Sequence, residues 1–137
     1  MTFRALPNTG KNGLAGYNKI GNAGTALTMT CTTLQMELDR MNIDHVDYMS
    51  LDIEGAELQA LRGVDFGRAR IDVITVEKND DEGGRAVVRH LEDNGYVKVH
   101  EVWLDAVFIH KDATEKMAWF KEWESEAAAH GYKEWGK

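Results

Sequence analysis

Apolar residues recur along this chain in two rhythms, every second position or every third and fourth, and their order predicts an α/β fold. Between 26 and 31, Leu27, Met29 and Cys31 alternate with threonines, the pattern of a short strand with one buried face. Thr32 and Gln35 have the spacing of a helix capping box, and Leu34, Leu38 and Met41 follow at helical intervals to about Asn42. A second strand is predicted over 46 to 53. Ala56, Leu58 and Leu61 then supply the packing side of a helix that begins at Gly55 and is stopped by Gly63. Ile71, Val73, Ile74 and Val76 are nearly continuous, as a strand covered on both faces requires. Val87, Val88 and Leu91 mark a helix over about 84 to 94, ended by Gly95. Strands at 96 to 103 and 106 to 110 are separated only by Leu104 and Asp105, which predicts an antiparallel hairpin. The spacing of Asp112 and Glu115 starts a last helix that runs to about Ala129, with Met117, Phe120, Trp123 and Ala127 as one stripe and Trp119 beside it. These elements predict a sheet that is mostly parallel with an antiparallel end.

The segment from Asn8 to Gly24 contains Gly10, Gly13, Gly16, Gly21 and Gly24 and few bulky apolar groups, so residues 1–24 are read as a flexible leader to the ordered domain. The chain's 137 residues suit one core, and no apolar run approaches the length of a membrane span. A formal charge of -7 opposes attraction to phosphate backbones and anionic lipid, so neither nucleic acid nor membrane is an expected partner. The single cysteine, Cys31, has no partner for an internal disulfide and is read as a small buried side chain. With no basic leader followed by an apolar stretch, a cytoplasmic setting is expected. His45, His90, His100 and His110 do not pair with one another at metal-ligand spacing and are assigned solvated or core roles.

Chemistry concentrates in Val46-Asp47-Tyr48-Met49-Ser50-Leu51-Asp52-Ile53-Glu54-Gly55-Ala56-Glu57-Leu58, an apolar strand that ends in three carboxylates around a glycine. In open α/β sheets ligands bind beyond the carboxyl ends of the strands, where a helix N-terminus also favours negative charge. Asp52, Glu54 and Glu57 therefore stand where a site is expected. They equally suit a structural role, with Asp52 or Glu54 capping the helix and Glu57 a favourable first-turn charge.

The stretch from Val46 to Leu61, with Thr32-Thr33-Leu34 upstream and Ile71-Asp72-Val73-Ile74-Thr75-Val76-Glu77 downstream, resembles the FkbM family of S-adenosylmethionine-dependent methyltransferases, whose hallmark is a strand running into Asp-x-Glu-Gly-x-Glu. The match covers 25 to 110 in the same order. The resemblance implies a partial Rossmann-like methyltransferase sheet over 25–111, in which the strand ending at Asp52 is the fourth, the strand ending at Glu77 is the fifth, and the hairpin closes the edge. The aromatic helix of 112–137 follows it. It further implies that Asp52, Glu54, Glu57 and Glu77 form the catalytic face, that Asp52 and Gly55 also meet the cofactor, and that the acceptor is a hydroxyl on a sugar or other small metabolite. Asp52 is the first candidate for general base and Glu77 the second. Related small-molecule methyltransferases hold a divalent ion between these strand ends; Asp52, Glu77 and Asn79 are oxygen donors of the right type, but without a third carboxylate at a defined spacing no metal is assigned.

The glycine-rich turn after a first strand and the acidic residue ending a second, which hold S-adenosylmethionine in this fold, have no counterpart in the sequence. The chain is therefore expected to carry the C-terminal half of the domain and to bind the cofactor weakly by itself. Either a homo-oligomer or a complementary half is expected to cover the strand at 46 to 53 and the surplus aromatic area of Trp119, Phe120, Trp123 and Trp135. A noncatalytic oligomeric scaffold that retains half of the fold is the alternative.

Overall fold

The computed structural model describes residues 2–5, 25–28, 31–79 and 81–130. Expectations for the glycine segment, Met29 and Trp135 lie outside these residues. Two short strands, β1 (Thr2–Ala5) and β2 (Thr25–Thr28), pair antiparallel as a sheet of their own. β1 has no signal in the sequence, because four residues are too few to establish a period.

The main sheet has four strands, β3 (His45–Leu51), β4 (Arg70–Glu77), β5 (Tyr96–Val102) and β6 (Asp105–His110), in the spatial order β3-β4-β6-β5. β3 and β4 are parallel neighbours, as expected, in a register that sets Leu51 against Val76. β6 runs antiparallel to both β4 and β5. The expectation of a mostly parallel sheet is thus corrected: two of the three pairings are antiparallel. The reason is geometric. A turn of two residues forces β5 and β6 to be antiparallel, and the hairpin inserts its second strand beside β4, leaving β5 as the edge.

Helices α1 (Leu34–Met41), α2 (Glu57–Leu61), α3 (Glu82–Asp93) and α4 (Thr114–Ala129) complete the fold. Thr33, not Thr32, caps α1 by accepting from the Met36 N–H, and Asn42 ends the helix in the left-handed conformation. Gln35 is released from the expected capping box and accepts from the Asp65 N–H instead. Asp81 caps α3, with Glu82 in its first turn pairing with Arg85 and Arg89, so the helix begins two residues before the expected 84. α4 starts after Ala113 with no side-chain cap, so the spacing of Asp112 and Glu115 is not used as expected. Cys31 is exposed, which corrects its reading as a buried residue: β2 ends at Thr28 and Cys31 lies in the coil before α1.

Leu61, Ile71, Ile74, Val76, Leu91 and Phe108 are the largest fully buried side chains, so the core lies around β4 and β6 under α2 and α3. Gly84 lets α3 press on the loop after β4: a Cβ there would stand 1.7 Å from the Asn79 carbonyl oxygen. Tyr96 anchors the start of β5 by donating its hydroxyl to the Ile71 carbonyl at 2.8 Å. A smaller cluster of Ile109, Ala113 and Phe120, with Met117 and Val73 against it, seats α4. Trp123 meets Phe120 and the edge of the His100 ring, while Trp119 stays exposed. Among the described residues no helix is long and apolar enough to cross a membrane.

Candidate active site

The parallel register that places Leu51 beside Val76 brings the next residues, Asp52 and Glu77, to the same carboxyl edge of the sheet. Beyond Asp52 the chain turns sharply. Glu54 and Gly55 both have left-handed backbones, φ 59° and 94°, and α2 begins only at Glu57, two residues later than the spacing predicts. A glycine adopts that conformation freely and a glutamate does not, so something must hold the turn. Glu57 does so. Its Oε1 accepts from the Ile53 N–H at 2.9 Å and from the Gly55 N–H at 3.0 Å, and the side chain is buried.

The same turn folds Glu57 back toward the strand ends, so carboxylate oxygens of Asp52, Glu57 and Glu77 lie within 4.8 Å of one another. Asp52 and Glu54 are exposed and Glu77 is half-buried. Partial burial, followed by the charges of Asp52, Glu54 and Glu57 and a hydrogen bond with Asp52, pushes the Glu77 carboxyl above the usual carboxylate range. The Glu77 carboxyl therefore keeps its proton more readily than an ordinary glutamate, with Asp52 as its hydrogen-bond partner.

Of the four expected catalytic carboxylates, Asp52, Glu57 and Glu77 come together, while Glu54 lies outside the group and acts on Glu77 through its charge. Asp52 and Glu77 face each other, Glu54 contributes negative potential, and Glu57 is committed to the backbone. Gly55, expected at the cofactor, spends its N–H on Glu57. Asn79 is exposed, and the third carboxylate beside Asp52 and Glu77 is Glu57. The sequence carries Glu57 at the right position, but only the reversed turn reveals that it reaches back. Three carboxylates so close have the donor chemistry for one hard divalent cation, although one oxygen of Glu57 is already engaged.

A second group, His45, Asp47 and Asp72, has the same compactness. Its members are already paired: Asp72 with Arg70 and His45, and Asp47 with Lys116 of α4. It ties α4 to the sheet. Three further histidines pack as rings, His90 on Phe66, His110 on Tyr96, and His100 beside Phe120 and Trp123.

In open α/β sheets ligands bind beyond the carboxyl ends of the strands, and here that edge gathers acidic groups from two parallel strand ends. Comparison with known families makes the assignment specific. A family model, the methyltransferase FkbM domain, matches residues 2–133, and the chain belongs to that family. No curated protein and no solved structure matches it.

Proposed function

We propose that the chain serves S-adenosylmethionine-dependent O-methyl transfer to a hydroxyl of a sugar or similar small metabolite, with Asp52 and Glu77 as the proton-handling pair. The observation that carries this reading is their juxtaposition at the ends of adjacent parallel strands. The FkbM family uses S-adenosylmethionine, which supplies, when bound, a methyl group on a cationic sulfur. The anionic, partly desolvated cluster suits that positive charge. The amides of Ile53 and Gly55 are spent on Glu57 and leave nothing for the carboxylate end of such a cofactor.

In this reading Glu77 keeps its proton and uses it in a hydrogen bond to Asp52, which remains the accessible proton acceptor. Asp52 accepts the proton of the acceptor hydroxyl as its oxygen takes the methyl group; an oxygen–carbon bond forms and the sulfur–carbon bond breaks. Glu57 fixes the turn that aims Asp52, and Glu54 adds to the negative potential. Asp52→Asn is expected to lower kcat about 10²- to 10⁴-fold while leaving cofactor affinity within about twofold, because the lost proton acceptor acts in the transition state. Calorimetric titration with S-adenosylmethionine and S-adenosylhomocysteine, beside a methyl-transfer assay, tests this. Equal losses of affinity and rate would make Asp52 a binding residue and sink the assignment.

The reading includes a partner for the outer edge of β3, which among the described residues is paired on the β4 side alone. That strand contains no proline or lysine to blunt its edge, and its centre, Tyr48, is 57% exposed. We propose a second copy of the chain, paired antiparallel about Tyr48, as the occupant. Size exclusion with light scattering is expected to give a dimer that Tyr48→Lys shifts to monomer; a monomer of the unmodified chain at micromolar concentration refutes it.

A further inference from the structure

The turn joining β5 to β6 breaks the local rule for such turns. Val102 pairs with Asp105, so Trp103 and Leu104 make a two-residue hairpin loop. Trp103 has φ 54° and Leu104 is not in the positive region. A positive φ at the first position of this loop is where glycine is normally found. Trp103 is instead the most exposed large apolar side chain among the described residues, at 78%. A bulky residue in a conformation that disfavours it, with no burial in return, contributes nothing evident to the fold.

Its place in the sheet is what gives it a use. Glu77 pairs with Asp105, and the Lys78 N–H donates to the Leu104 carbonyl at 2.6 Å, so the turn is fastened to the residue that follows Glu77. Ile53, at the end of β3, is also exposed, as is Leu104. The carboxyl edge of the sheet thus combines a carboxylate cluster, which accepts hydrogen bonds, with an exposed indole and two aliphatic side chains. A saturated ring that carries hydroxyls has matching surfaces, a C–H face for the indole and a hydroxyl rim for the carboxylates. A linear polyol has the hydroxyls without the face. A net charge of -7 and the acidic edge disfavour anionic lipid or nucleic acid as the occupant.

We infer that Trp103 is the stacking platform that positions the acceptor, holding it by the C–H face of its ring. This rests on the reading that the carboxyl edge receives the acceptor, but its test does not require turnover. Saturation-transfer NMR on the full chain compares methyl β-galactopyranoside, trans-cyclohexane-1,2-diol and sorbitol, without S-adenosylmethionine. Signal is expected on the ring C–H protons of the first two and not on sorbitol. Trp103→Ala should reduce it at least fivefold, and Trp103→Phe should retain more than half. Trp103→Gly should lose the signal while its Tm equals or exceeds that of the native chain, since glycine relaxes the turn.

Equal signal from sorbitol, no signal from either ring, or unchanged signal in Trp103→Ala overturns the inference. So does a Tm that falls by several degrees in both Trp103→Ala and Trp103→Gly, which assigns the indole to the fold. Ring binding without any methyl transfer leaves the platform standing and removes the enzymatic reading, so the two failures are distinguishable.

Discussion

β3 and β4 lie side by side in one sheet, run in the same direction and are both rich in apolar residues, yet their environments differ. Along β4, Ile71, Asp72, Ile74 and Val76 are all buried; along β3 only Leu51 is. Among the described residues β4 has a strand on each side and β3 has one. The helix before β3 repeats the contrast: α1 buries no residue, whereas α3 buries Gly84, Val87 and Leu91. One side of the molecule is therefore complete and the other is open, and the carboxylate cluster straddles the boundary. Glu77 is contributed by the complete side, which partly desolvates it, and Asp52 by the open side, which leaves it accessible. That asymmetry places the raised proton affinity of Glu77 beside an accessible carboxylate.

The widest separation between the two sides should appear in truncation of apolar side chains. Ile74→Ala, at a fully buried site in the middle of β4, is expected to cost about 3 kcal/mol or more, and Met49→Ala in β3 less than about 1.5 kcal/mol. Urea denaturation of both variants gives the comparison directly. Similar losses would mean that β3 is as well enclosed as β4, for which a covering partner in solution is the physical route.

A smaller effect is expected at the join. Glu57→Ala removes the acceptor of two backbone N–H groups in a turn already held in the left-handed region, and should cost about 2–3 kcal/mol. Glu57→Gln keeps an amide oxygen in place and should cost about 1 kcal/mol. Thermal unfolding separates the two. If Glu57→Ala is no worse than Glu57→Gln, the hydrogen bonds do not hold the turn, and Glu57 returns to the list of groups free for catalysis.

Local features of this fold were legible in the residues because their causes are local. Asn42 and Gly95 end helices in left-handed conformations that the pattern anticipates, and the apolar periods of β4, α3 and β6 place the core. Strand order was not legible, since insertion of β6 between β4 and β5 depends on where a hairpin docks. The turn at Trp103 was misplaced by one residue because it carries none of the usual glycine or asparagine signal. At the site, the Asp-x-Glu-Gly-x-Glu spacing named Asp52 and Glu57, which come together with Glu77, but not how the carboxylates divide between cluster and backbone. That division follows from the backbone at Glu54 and Gly55, which turns Glu57 inward, and from a register that sets Glu77 beside Asp52. The second compact group, His45 with Asp47 and Asp72, was hidden because it forms across two strands.

The smallest expected effect is the most specific, because it changes sign with the reading. In the folded chain the Glu77 carboxyl sits above its ordinary range through burial and the charges of Asp52, Glu54 and Glu57, so the fold binds that proton more tightly than the unfolded chain does. Its favourable contribution is complete below the unfolded value and is lost as pH rises through the folded one. At neutral pH the ionised group is a source of repulsion. Glu77→Gln removes that charge and retains the shape, so the variant should melt slightly above the native chain at pH 7, and the gap should close on acidification toward the carboxylate range. Asp72, Glu82 and Glu101 shift the opposite way through their cationic partners, and both proteins lose those contributions together in acid, so the difference between the two melting curves isolates Glu77. A variant less stable than the native chain at pH 7 would mean that Glu77 is held as a favourably solvated or ion-paired carboxylate. Asp52 would then have no protonated partner beside it, and the asymmetry between the open and complete sides would not reach the chemistry.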